Sequence, residues 1–324
     1  MRAIVFDGEA RRLDANHAEP TLTAGEALIR PTRMGICSTD LEICRGYMDF
    51  AGVLGHEFVG VVEQVHADTP ERYRKLLGKR VVGSINCVCG KCDMCTRGLS
   101  NHCRDRTVLG IAGRDGCFAD RFVLPAMNLL AVPDTLDDDH AVFAEPLAAA
   151  CTIPQQIRIE DKPYITVLGD GRLGLLVAQV LAQFNASVRV IGKHPDKLAL
   201  CEKWAIKHRL LSDFVPRADQ DIVVDCTGSA TGLALAMQVV RPRGQIVLKT
   251  TVADKSSVDL SPLVIHEIQL IGSRCGPFAE ALNFLNAGKV DVLSLISRRL
   301  PLDHATEAFQ AAQQPDTVKV LLEN

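Results

Sequence analysis

Apolar and polar positions change period about midway along the chain. From Met1 to about Val132, short apolar runs such as Ala27-Leu28-Ile29, Val59-Gly60-Val61-Val62 and Arg80-Val81-Val82-Gly83 are broken by Gly, Pro and Asp. Such spacing predicts a strand-rich, β-barrel-like region. The first strand is predicted at Met1-Arg2-Ala3-Ile4-Val5-Phe6, ending in the turn pair Asp7-Gly8. From Pro163 onward strands and helices alternate. Tyr164-Ile165-Thr166-Val167-Leu168 reads as a buried strand, and Leu175 to Phe184 as a helix packed on a sheet. Further strands are predicted at 187–192, 221–228, 245–248 and 268–272, so this half reads as an α/β unit with a parallel, doubly wound sheet. Helices at 280–286 and 303–312 and a last strand at 318–322 close the chain.

Between the first predicted strand of this half and its helix lies Gly169-Asp170-Gly171-Arg172-Leu173-Gly174. A lone G-x-G-x-x-G is a weak signal, but a strand before and a helix after make it a dinucleotide-binding turn. Gly169 permits the tight turn, Gly171 lets backbone approach a pyrophosphate, and Gly174 lets helix meet strand. Asp170 is an unhelpful charge beside a pyrophosphate, and Arg172 is placed to compensate it. Roughly 20 residues after such a turn, NAD-specific sites carry an acidic residue for the ribose hydroxyls. Here Gly192-Lys193-His194-Pro195 stands instead. A glycine with two cationic neighbours leaves room and charge for a 2′-phosphate, so NADP is expected over NAD.

Two clusters point to metal. Cys89, Cys92, Cys95 and Cys103 follow the spacing C-x2-C-x2-C-x7-C, and four thiolates so arranged can wrap one tetrahedral zinc with no ligand position left for chemistry. That makes the site structural. Lys91, Arg97 and Arg104 stand near enough in sequence to offset its charge. Earlier in the chain, Cys37, His56 and Glu57 form the mixed S/N/O set that suits a catalytic zinc, which keeps a position open for substrate. Glu145, inside the apolar run that follows Asp137-Asp138-Asp139-His140, is a carboxylate in need of a partner, either backbone or metal.

Gly35 to Asp40 together with Gly55-His56-Glu57-Phe58-Val59-Gly60 resembles the zinc-dependent medium-chain alcohol and polyol dehydrogenases, over almost the whole chain. Glu145-Pro146-Leu147 is more similar to the sorbitol, threonine and glucose dehydrogenase branch than to the ethanol-oxidising one. The resemblance implies a GroES-like β-barrel catalytic domain at 1–148, a Rossmann NAD(P)-binding domain at 149–275, and a segment 276–324 that returns to the first domain, with the substrate cleft between the two. It implies two zinc ions per chain, the catalytic one held by Cys37, His56, Glu57 and Glu145. Charge limits that set: thiolate, neutral imidazole and one glutamate already neutralise zinc, so one carboxylate is expected to bind tightly and the other to face water or a cation.

Thr39, Glu42 and Glu57 are the catalytic candidates. The resemblance makes Thr39 the first proton acceptor; Glu42 stands where relatives carry a relay histidine, so either Glu42 or water takes the proton onward. Besides the glycine turn and Gly192, Lys193 and His194, the expected cofactor contacts are Thr227, Thr251 and Arg274, with residues 248–251 and 273–276 at the nicotinamide end. The implied activity is hydride transfer between a secondary alcohol of polyol, sugar or amino-alcohol type and NAD(P), in a homodimer or homotetramer. The competing function is a zinc- and cofactor-binding protein without turnover; a metal-free quinone reductase of the same fold would lack Cys37, His56 and the cysteine cluster.

Composition narrows this further. At 324 residues, 47% hydrophobic and 23% charged, the chain can build two cores. A net charge of -3 with mixed signs offers no basic face, and the zinc lobe lacks the interleaved Lys, Arg and aromatics of a nucleic-acid module. No apolar run approaches the roughly 18 residues of a membrane span. Twelve cysteines without an export signal at Met1 to Gly8 fit thiols kept reduced in the cytoplasm.

Overall fold

The computed structural model describes residues 1–251 and 257–324, and the chain forms two compact units. The first comprises Met1–Glu145 with Ile296–Asn324, the second Pro146–Leu295.

The first unit is built on a bent, mostly antiparallel sheet. Its strands run in the order Leu129–Ala131, Arg80–Gly83, Phe58–Val65, Glu26–Gly35, Lys319–Glu323 and Ile296–Pro301, and Phe122–Pro125 also pairs with Glu26–Gly35. The three apolar runs singled out in the sequence lie inside these strands. Register shifts at Leu28/Ile29 and Pro31/Arg33 interrupt the long pairing of Glu26–Gly35 with Phe58–Val65 and bend it, as a bulge does when it curls a sheet toward closure. The amino-terminal strand Ala3–Phe6 joins a separate three-stranded sheet with Arg11–Asp14 and Gly52–Val53. Aromatic rings fill the interior edge to face: Phe58 on Phe122 at 4.7 Å, and Phe118 on Phe309 at 6.1 Å.

The second unit is a six-stranded parallel sheet in the order Lys207–Leu210, Ser187–Gly192, Tyr164–Leu168, Gln220–Asp225, Val240–Leu248, Gln269–Gly272. The strand order reverses beside Tyr164–Leu168, the point where doubly wound sheets open a crevice for ligands. Its central strands are buried along their length, Ile165 to Leu168 in one and Ile222 to Asp225 in its neighbour. In the helix Arg172–Leu181 every residue from Gly174 to Leu181 is buried, and each fully buried Leu or Val there contributes about 1.5–3 kcal/mol. The short strand Lys207–Leu210 was not predicted; it alternates charged and half-buried positions and sits at the sheet's edge, where its pattern is weak.

The return to the first unit needs correction. It was expected at residue 276, but residues up to Leu295 belong to the second unit. Polar contacts hold them there: Gln179 and Asp291 exchange hydrogen bonds in both directions, and the Trp204 indole donates to Asp291 at 3.1 Å. Only the strands Ile296–Pro301 and Lys319–Glu323, with the helix Ala305–Ala312 between them, return to the first unit. No described helix is long and apolar enough to cross a membrane.

Candidate functional site

Cys37 is the N-cap of the short helix Ser38–Ile43, in extended backbone, and its N–H donates to Asp40 Oδ2 at 2.7 Å. This C-x-x-D spacing acts as a capping box, so one carboxylate oxygen closes the helix start while the other is left over. That second oxygen, Oδ1, lies 3.2 Å from His56 Nδ1. Asp40 is fully buried and His56 is 3% exposed, and neither of these two atoms has a hydrogen bond to any other group among the described residues. Burial pushes the His56 imidazole down, but Asp40 and the Cys37 sulfur outweigh it and hold the ring well above its usual range. The surroundings of His56 are therefore built to receive positive charge.

Glu57 follows directly and is fully buried. Its Oε2 forms an ion pair with Lys319 Nζ, also fully buried, while Oε1 has no hydrogen-bond partner among the described residues. Lys319 opens the last strand, which pairs with the end of Glu26–Gly35 through Leu321 opposite Gly35, and it also donates to the Ile36 carbonyl at 3.3 Å. Gly35 is required here: a Cβ would run into both the Glu57 carboxylate and the Lys319 side chain. Ligand atoms of Cys37, His56 and Glu57 lie within 4.8 Å of one another. A thiol, an imidazole and a buried orphan oxygen thus converge with an excess of anionic groups, a donor set that fits a divalent zinc.

Glu145 does not fall within that group; it is half-buried at the start of the helix Ala144–Cys151. The expected cation beside one of the two glutamates does exist, as Lys319 on Glu57. Thr39 Oγ1 is 3.7 Å from Cys37 Sγ. Glu42, half-buried in the same helix, pairs at 2.7 Å with Arg45, just beyond the helix end. Asp40 and Lys319 went unassigned in the sequence reading. The N-cap spacing could have found Asp40; no local signal marks Lys319, a charge at the start of a short strand whose next three residues are apolar.

The four cysteines Cys89, Cys92, Cys95 and Cys103 also gather into one group. Sulfur separations are 3.5 Å for Cys89–Cys103, 3.6 Å for Cys92–Cys95 and 3.9 Å for Cys92–Cys103, and none of the four is in a disulfide. Backbone N–H groups of Arg104 and Cys95 bring Cys92 down to about 6, whereas desolvation and the Cys92 and Cys103 sulfurs push Cys95 up to about 12. Four thiolates cannot share this space without a cation, so the set fits a closed zinc site. Arg104 reaches Asp93 at 2.6 Å beside it.

In the second unit, Gly169 adopts φ +108 and Gly174 packs so closely that a Cβ would strike the Gly169 carbonyl. Gly171 caps the helix Arg172–Leu181 without a side-chain hydrogen bond and has open space beside it. The first-turn N–H groups, lacking a side-chain cap, are placed for an anion, which fits a dinucleotide pyrophosphate. Leu173 is half-buried in that turn. Thr227 is tied to Asp225 through its N–H at 2.9 Å and its hydroxyl at 2.8 Å. Lys249, buried, donates to the carbonyls of Ala149 and Arg274 and to the Ser273 hydroxyl, which fixes the backbone around Arg274; Thr251 is exposed. The premise that no carboxylate stands at the end of Ser187–Gly192 was wrong. Asp170 stands there, accepting the N–H groups of Lys193 and His194, and is not left facing a pyrophosphate uncompensated.

Comparison with known proteins places these sites in a family. Residues 23–134 match the alcohol dehydrogenase GroES-like domain and residues 173–287 the zinc-binding dehydrogenases, together more than half of the chain. D-arabitol-phosphate dehydrogenase of Enterococcus avium is 28% identical, over 94% of this chain and 92% of that protein. A zinc-binding dehydrogenase from Sinorhizobium meliloti 1021, solved bound to NADP, is 25% identical with TM-score 0.89, covering 100% of this chain and 99% of its own. An alcohol dehydrogenase from E. coli CFT073, solved with NADH, is 25% identical with TM-score 0.90 and the same coverage.

Proposed function

Because this chain belongs to the zinc-dependent medium-chain dehydrogenases, we propose that it transfers hydride between a secondary alcohol, of polyol, sugar or amino-alcohol type, and NAD(P). The observation that carries the reading is the buried convergence of Cys37, His56 and Glu57, backed by Asp40 and Lys319. Zinc there would supply Lewis acidity toward the substrate oxygen, and the nicotinamide would take or give the hydride.

The chain's own residues have distinct tasks. Asp40 orients the His56 ring and sets which nitrogen is free to ligate. Lys319 cancels the charge of Glu57, which changes the electrostatic count made from sequence alone. With Glu57 neutralised, Cys37 leaves one positive charge on zinc, and Glu145 can join the set without making the centre anionic. Cys37, His56 and Glu57 with Glu145 are thus the proposed catalytic zinc ligands, and Cys89, Cys92, Cys95 and Cys103 the structural ones, giving two zinc ions per chain. Thr39 Oγ1, beside the Cys37 sulfur, accepts the proton of the substrate hydroxyl. Passage onward through Glu42 requires opening its pair with Arg45, so water is the better carrier.

The glycine turn 169–174 holds the pyrophosphate, with Thr227, Thr251 and Arg274 further along the cofactor. Relatives of similar likeness bind NADP or NADH, so likeness alone does not choose between them. A homodimer or homotetramer fits the apolar surface at the edge of the parallel sheet, where Val264, Ile265 and Leu270 are 79%, 72% and 40% exposed. Twelve cysteines, none of them in a disulfide among the described residues, fit a reducing cytoplasm. Purified protein assayed by nicotinamide absorbance against free and phosphorylated polyols, sugars, amino alcohols and simple alcohols tests the reading. Turnover of one polyol-like class is expected; no turnover of any of them, with both zinc ions bound, refutes it.

A further inference from the structure

We propose that Asp170, a residue of the glycine turn and not of the second strand, is the carboxylate that decides cofactor choice, and that it selects NAD against NADP. This rests on the dehydrogenase reading above and deepens it.

The side chain of Asp170 reaches across to the end of Ser187–Gly192. There its Oδ2 accepts the N–H of Lys193 at 2.8 Å and of His194 at 2.6 Å, and its Oδ1 lies 3.1 Å from His194 Nδ1. The side chain is 8% exposed. Gly192 makes room for it, since a Cβ there would meet Asp170 Cβ and Cγ at 2.5 Å. Glycine at the strand end is therefore filled space, not a vacancy for phosphate.

The end of this strand is where the fold reads the adenosine ribose, an acid bonding the 2′-hydroxyl or a cation taking the 2′-phosphate. Two successive backbone N–H groups make a small anion nest, and in this chain the anion in the nest is Asp170. A 2′-phosphate brought here finds both donors used and a carboxylate facing it. Of the two cationic residues that follow Gly192, the His194 ring is turned to Asp170 and Lys193 is exposed and solvated, so neither is held ready for a phosphate. A 2′-hydroxyl fares differently. A carboxylate offers about four acceptor sites, three of them engaged, and Oδ1 keeps one for a hydroxyl donor.

Dissociation constants of the zinc-loaded protein for NADH and NADPH, read by cofactor fluorescence without substrate, test this. NADH is expected to bind at least about tenfold tighter, the factor that one charge-assisted hydrogen bond carries. Asp170→Asn keeps an acceptor oxygen and removes the charge, and should shrink the ratio about tenfold. Equal binding or tighter NADPH in the wild type overturns the proposal, and so does an unchanged ratio in folded Asp170→Asn. Lys193→Ala gives a second decision should that variant not fold: a selective loss of NADPH binding means that the lysine takes the phosphate and overturns the proposal, and an unchanged ratio supports it. Binding of neither cofactor refutes the dehydrogenase reading and this inference with it, whereas equal binding overturns the inference alone.

Discussion

The two metal-type clusters of the first unit are made in opposite ways. Cys89 to Cys103 spans a short loop-rich segment, its cysteines half-buried for the most part, with the ion pair from Asp93 to Arg104, the next residue along, beside them. The Cys37, His56 and Glu57 cluster is mostly buried and draws on a helix start, the loop before Phe58–Val65 and, through Lys319, a strand 262 residues beyond Glu57. The local cluster can form once its loop closes. The dispersed one exists only when the last strand has docked beside Glu26–Gly35, because only then does Glu57 have its cation. A closed site of four like ligands serves stability, whereas a mixed site held by buried charges from distant segments can be tuned for chemistry.

The largest effect that separates the two is on turnover. Cys37→Ala should lower kcat/KM by at least about a thousandfold, the several kcal/mol expected of a lost Lewis acid, with one zinc retained on the cysteine loop by elemental analysis. Retention of both zinc ions in that variant would break the assignment of the dispersed cluster.

Next comes the buried ion pair. In the zinc-free protein Lys319→Met leaves Glu57 as an uncompensated buried charge and should cost about 3–5 kcal/mol in urea unfolding. Lys319→Met combined with Glu57→Gln should recover most of that loss, since the pair leaves together. A double variant as unstable as the single one would show that Lys319 contributes packing and not charge.

Asp40→Asn probes the orienting carboxylate. Loss of such a partner typically costs about 10–100-fold in metal affinity or activity. Here it should be read as zinc release at the dispersed cluster under a competing chelator, with the cysteine-loop zinc unaffected. Equal release from both clusters would mean a global loss of structure.

Cys92→Ala should have the smallest effect on turnover, within a few-fold while the protein is folded, but it should remove one zinc and lower Tm. Because burial and anionic neighbours leave this loop's thiolates dependent on their cation, a chelator should destabilise the wild type and leave the Tm of Cys92→Ala nearly unmoved. A chelator shift of equal size in both would place the stabilising metal elsewhere.

Much of this was legible in the residues. C-x2-C-x2-C-x7-C states its own chemistry because all its ligands are close along the chain, and the glycine turn does so because strand, turn and helix are contiguous. Cys37, His56 and Glu57 were legible as candidates by type. Their order of importance was not, since electrostatic balance depends on what is near in space. Lys319 supplies the cation expected beside one of the two glutamates, and Asp170 brings to the end of Ser187–Gly192 a carboxylate that the residues of that strand do not carry. In both cases sequence distance hid a contact between charges.

The α/β alternation, the candidate cysteine cluster, the dinucleotide turn and the family were legible in the sequence alone, because each rests on local periodicity or short spacing. Tertiary structure alone decided that Glu57 is neutralised, that Asp40 holds His56, that the chain returns to its first unit at Ile296, and that a carboxylate fills the end of Ser187–Gly192. The reason is common to all four. Strand docking brings together groups far apart in the chain, and inside a low-dielectric core a charge is defined by its partner more than by its own residue type.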